Sequence, residues 1–146
     1  HYNFSYPSNW QILVNTAVNP KSYKGLTIID RTKLTPENNN AELNIYVLET
    51  SSDKTLGNLN INTKDKATRS DNEDFLIGIK PARKQEFKYD VSFKENDIEI
   101  NKGKLLILDV MYSTKKFLHF DFLIYNESDI ELYEGYFNQM INDLSL

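Results

Sequence analysis

Cysteine is absent from this chain of 146 residues. That removes disulfides, thiol nucleophiles and thiolate metal sites together, but it leaves the compartment open, because a chain of this length can hold itself together by packing alone. Glycine is scarce at five residues, and none of them builds a phosphate-cradling loop. The G-x-x-x-x-G-K-[ST], H-E-x-x-H, G-x-S-x-G and EF-hand patterns are all missing. There are two histidines, one of them the first residue, too few for a usual zinc set. The longest apolar runs, 105–108 and 122–125, are far too short to span a bilayer. Positive charge is in deficit: 17 Lys and Arg face 21 Asp and Glu, a net charge of −4. Nucleic acid demands the opposite, a clustered basic surface.

What remains is the composition of a folded chain. Hydrophobic residues make up 40% and charged residues 26%, outside the range of disordered tails. The length fits a single domain over 1–146, able to bury about 70% of the surface its unfolded form would expose. Nine Tyr and eight Phe lean toward strands, where flat rings fit a pleated surface. The chain opens with His1 in place of Met, so it is expected to be a fragment from which any signal segment is absent.

Patterning orders the elements. Residues 4–6 read as a short strand stopped by Pro7, and Trp10, Ile12 and Val14 alternate as a second. Residues 25–30 and 43–49 read as strands either side of the Pro- and Asn-rich loop 34–42. Over 51–74 the apolar signal fades, which predicts one poor helical turn near 55–61 and a mobile loop after it. Residues 75–79 and 86–93 alternate as strands, the latter with Phe87, Tyr89, Val91 and Phe93 on one face.

The strongest unit is a hairpin over 105–125 joined around residues 113–115. A three-residue loop pairs Tyr112 with Lys116, Val110 with Leu118, Leu108 with Phe120 and Leu106 with Phe122. A slip by one residue would mix charge into the core. A helix over 128–144 closes the chain, with Ser128 and Glu131 as a capping box and Ile130, Tyr133, Phe137, Met140, Ile141 and Leu144 on one stripe. The fold class expected is α+β.

Three polar features carry candidate chemistry. The hairpin register sets Asp109 opposite His119, with Asp121 two residues along the same face. A carboxylate beside an imidazole raises the histidine's pKa and can serve as an acid/base pair or weak metal site, but such pairs are also an ordinary unit of sheet stabilisation. Residues 70–74, "SDNED", hold oxygen ligands without a calcium-loop spacing, and read as a solvated acidic turn. Residues 127–146 carry five acidic groups and no Lys or Arg, so the other 126 residues come to +1. That is either a water-facing helix side or a surface for a basic partner. Asn3 and Asn126 match the N-glycosylation pattern, which means little in a chain so rich in Asn.

Phe4, Tyr6, Pro7 and Trp10, the glycine before the strand "LTIID", and the closing "YFNQMINDL" together resemble the PsbP-like family, whose fold is shared with the Mog-type Ran-binding proteins. In that family a turn with aromatics, proline and then tryptophan opens the domain. The resemblance implies an antiparallel β-sheet flanked by helices on both faces, an α-β-α sandwich, although 51–74 lacks the pattern of the second helix. It also implies an extracytoplasmic protein, secreted or lipid-anchored upstream of this chain. With no catalytic set found, a non-enzymatic accessory domain binding a protein partner is expected, without cofactor, metal, nucleic acid or transmembrane segment. The alternative is a small-molecule or metal-ion binding module on the sheet face around Asp109, His119 and Asp121. Hydrolysis ranks last.

Overall fold

A computed structural model describes residues 2–14, 22–23, 25–59 and 67–146, with 22, 23 and 69–71 described by backbone alone. In chain order the strands are β1 (Gln11–Val14), β2 (Ser22–Tyr23), β3 (Leu26–Thr35), β4 (Ala41–Thr50), β5 (Ala67–Ile77), β6 (Lys80–Tyr89), β7 (Ser92–Glu95), β8 (Ile98–Asn101), β9 (Lys104–Ser113) and β10 (Lys116–Ile124), followed by helix α1 (Ile130–Asp143). Eight of them form one antiparallel sheet in the order β1-β3-β4-β10-β9-β6-β5, with β2 also on β3; β7 and β8 form a separate hairpin.

The hairpin of β9 and β10 has the register that its alternation predicts. Leu106, Leu108 and Val110 lie opposite Phe122, Phe120 and Leu118, and Asp109 lies opposite His119. Only the tip differs: Ser113 pairs with Lys116 around a two-residue turn, and a bulge absorbs the extra residue before Phe117. The even-numbered side chains form the main core with Leu43 and Ile45 of β4, under Tyr133, Phe137 and Met140 of α1. Trp10 is buried in the same layer, its ring centroid 5.8–6.0 Å from those of Phe122, Tyr133 and Tyr136. The backbone N–H of Trp10 donates to the Pro7 carbonyl, so the proline turn swings the indole beneath the helix.

Several expectations are corrected. Residues 4–6 form no strand; Asn3 makes an isolated bridge to Ser145 instead. The helical turn expected near 55–61 is a 3-10 turn, Leu56–Asn58. Residues 60–66 lie outside the described residues, but 67–74, expected as loop, belong to β5, which pairs with β6 along its length with one irregularity between Arg69 and Asp71. Backbone pairing holds this polar edge strand in place of an apolar face. The acidic run 70–74 is therefore strand and not turn. Gly78, read as strand interior, has φ +62° and opens a two-residue hairpin turn, where a left-handed first position favours glycine. The strand expected over 86–93 breaks after Tyr89. The loop expected over 34–42 shortens to the gap between β3 and β4. At the helix start, a 3-10 turn over Glu127–Asp129 replaces the Ser128 capping box.

The two-sided helical sandwich is also corrected. Among the described residues α1 is the one α-helix, and it covers one sheet face. The other face is covered at one end by the β7–β8 hairpin, whose Ile100, Phe93 and Ile98 pack on Tyr89, Leu105 and Ile107. At the other end Leu59 and Leu56 pack on Leu26, Leu48 and Phe117. Beta-sheet and loop thus do the work of the second helical layer.

Candidate functional site

Between those two apolar clusters the helix-free face carries a row of polar residues. Each is the direct register partner of the next: Asp74 on β5, Arg83 on β6, Asp109 on β9, His119 on β10, Tyr46 on β4 and Arg31 on β3. Period-two alternation puts all six on one face once the register is fixed. Beta-3 joins the row because a bulge between Ile28 and Asp30 resets its alternation, so that Ile28 and Arg31 share a face.

Contacts run along the row. Arg83 grips Asp74 through two parallel bonds, Nε to Oδ1 at 2.7 Å and Nη2 to Oδ2 at 3.1 Å. The hydrogen bond and charge of Arg83 hold the Asp74 carboxyl below its ordinary value. Asp109 Oδ1 lies 2.5 Å from His119 Nδ1. On the other ring nitrogen, Asp121 Oδ2 lies 3.9 Å from Nε2. The imidazole stacks on Tyr46 at 5.9 Å, and the Arg31 guanidinium lies 5.6 Å from the far ring's centroid. Arg31 is steered there by bonds from Nε and Nη2 to Asn44 Oδ1, at 3.2 and 2.7 Å.

Burial decides what this cluster can do. His119 is 0% and Asp109 4% exposed. Loss of water pushes the imidazole toward its neutral form. The charges and hydrogen bonds of Asp109 and then Asp121 outweigh that, leaving its pKa raised to about 9. The shift favours the imidazolium, and in that form both nitrogens carry protons and neither offers a lone pair to a metal. The three residues singled out in the sequence, Asp109, His119 and Asp121, do come together. Asp74, Arg83, Tyr46 and Arg31 were missed, because the row reaches Asp109 and His119 only through the β6–β9 and β4–β10 pairings, which join strands far apart in sequence. The available signal was the alternation of β6, which brings Arg83 beside Asp109 once that strand is paired.

The opening motif divides between core and surface. Phe4 packs against Phe120, with ring centroids 5.8 Å apart, and Trp10 is enclosed. Tyr6 and Pro7 instead line a surface concavity of about 250 Å³ with Ser5, Tyr136 and Gln139, between the opening turn and α1. The acidic C-terminal segment is partly neutralised by the sheet. Lys88 lies 3.4 Å from Glu127, and Lys104 pairs with both Glu134 and Glu86.

No family model matches the chain, and no curated protein does. Among solved structures it is similar to cyanobacterial PsbP (CyanoP) from Synechocystis sp. PCC 6803, known from a solution structure. The TM-score is 0.64 and the identity 17%, with 99% of this chain and 86% of that one covered. The fold is PsbP-like.

Proposed function

We propose that this chain is a single PsbP-like domain acting as a non-enzymatic accessory factor that binds a protein partner outside the cytoplasm, secreted or lipid-anchored. The observation that carries the reading is the closure of the Asp109–His119 pair. An acid/base or metal-binding group must reach its substrate or ion, and here the imidazole has no exposed surface and both nitrogens face carboxylates. The same closure speaks against the sheet face as a ligand site. The buried Asp109–His119 pair, with Asp121 beside it, then serves the sheet by favouring the one register that keeps the charges together.

Among the described residues a surface suited to the partner is the concavity beside the opening turn. Two tyrosine rings and a proline offer apolar contact, while Ser5 and Gln139 offer hydrogen bonds to an extended peptide segment. The likeness to cyanobacterial PsbP is one of fold, which is compatible with an accessory role and adds no partner. A photo-crosslinker replacing the exposed Gln139 tests the reading in cells. A discrete adduct is expected from position 139, lost with Tyr136→Ala and absent when the crosslinker replaces Glu95. Turnover or ligand binding that disappears in a folded His119→Gln variant would overturn it.

A further inference from the structure

The tip of the β5–β6 hairpin is chemically out of place. Its two-residue turn is Gly78–Ile79, and Ile79 is 87% exposed, the most exposed large apolar side chain among the described residues. Such turn positions belong to Gly, Asn, Asp and Ser, and nothing in the packing here asks for isoleucine. Leu76, one residue before the paired Ile77, is 66% exposed, and its register partner Pro81 is exposed too.

Lysines surround this apolar tip. Lys80 follows the turn, and its Nζ donates to the Tyr112 carbonyl and lies 5.7 Å from the centre of that ring. Lys116, from the neighbouring β9–β10 tip, lies 5.9 Å from the same ring. Lys115 is in that second turn, and its carbonyl accepts from the Thr50 N–H. Lys54 joins through its backbone N–H, which donates to the Thr114 carbonyl. Among the described residues two carboxylates share this end: Glu49, the register partner of Lys116, and Asp53, which accepts from the Thr114 hydroxyl. Among those residues four lysines therefore stand against two acids, in a chain of net charge −4. The segment leaving the opposite end of β6 is acidic, with Asp90, Glu95, Asp97 and Glu99 against Lys94 and Lys102.

We propose that this end of the sheet docks on an anionic bilayer surface, Ile79 and Leu76 entering the boundary between headgroups and acyl chains while Lys54, Lys80, Lys115 and Lys116 meet lipid phosphates. A convex turn with its apolar side chain in solvent fits a fluid boundary; a protein partner would have to supply a groove for it. Lysine stems can lie along the apolar layer with their ammonium groups at the phosphates. The acidic segment at the far end orients the molecule lysine-end first.

Sedimentation with vesicles tests this, using equal parts phosphatidylcholine and phosphatidylglycerol against phosphatidylcholine alone. Binding is expected only to the anionic vesicles, and is expected to fall in high salt. Ile79→Asn should weaken it about tenfold. The pair Lys115→Glu and Lys116→Glu should weaken it at least about twentyfold, from roughly fivefold per lysine lost. All three positions are exposed, so unchanged melting curves are expected for these variants. Ile79→Trp adds an indole whose emission should shift blue on anionic vesicles and be quenched by brominated acyl chains. Wild-type protein that leaves anionic vesicles unbound at low salt would overturn the proposal, as would binding that survives both sets of variants. A tip left free by vesicles but shielded in a protein complex would overturn it as well.

Discussion

Replacing Asp109 with Asn removes the charge that keeps His119 protonated in the interior. The folded imidazole has its pKa raised to about 9 from an ordinary 6.5, with burial opposing the charge and Asp109 and Asp121 outweighing it. That gap corresponds to on the order of 3 kcal/mol of differential interaction between the two protonation states. The raised value fixes the sign: the stabilisation is fully present below about pH 6.5 and is lost as pH rises through about 9. Wild-type stability should therefore decline across that window, followed by urea unfolding with Trp10 fluorescence as the probe. Asp109→Asn should cost about 3–5 kcal/mol at pH 6, the usual penalty for leaving one partner of a buried pair behind. Its cost should shrink toward pH 9.5, where the wild type has lost the charge as well. A double variant, Asp109→Asn with His119→Gln, should lack the slope. If wild-type stability is flat from pH 6 to 9.5, or Asp109→Asn is neutral at pH 6, the buried imidazolium is refuted.

Three further outcomes follow from packing. Trp10→Ala should destabilise by about 3–5 kcal/mol in the same urea assay, since the indole sits among Phe122, Tyr133 and Tyr136; a loss below about 1 kcal/mol would mean the site is not core. Gly103→Ala should cost at least about 2 kcal/mol, because a Cβ there would lie 2.1 Å from the Ile124 carbonyl oxygen and backbone must move to admit it. Near-wild-type stability would contradict that close approach. Amides of β5 that bond to β6 should exchange far more slowly than those of the exposed residues Ser52 and Asp53; equal exchange would return β5 to the loop its composition suggested.

The legible parts of the fold were those where alternation met burial. The β9–β10 register followed from six apolar residues that had to share a face, and Asp109 beside His119 came with it. Trp10 was legible because Pro7 forces a turn ahead of the chain's largest apolar side chain. Beta-5 was not legible: it is an edge strand, Asn72, Glu73 and Asp74 are exposed, and backbone pairing with β6 overrides its polar composition. The bulge after Ile28 hid Arg31, since unbroken alternation assigns that residue to the other face. The sealing of His119 was invisible as well. Its ring is stacked by Tyr46 and flanked by Asp109 and Asp121, and the Tyr46 contact depends on the β4–β10 pairing, which no local pattern encodes.

The central claim is that His119 is a closed structural cation and no working acid/base group. An NMR titration of the His119 ring carbons and nitrogens tests it most directly. The expected result is an imidazolium through pH 8 with a midpoint near 9, both ring N–H protons being shielded from solvent exchange. A midpoint at or below 6.5, with a neutral ring open to solvent at pH 7, would contradict the claim and return Asp109, His119 and Asp121 to candidacy as an active or binding site.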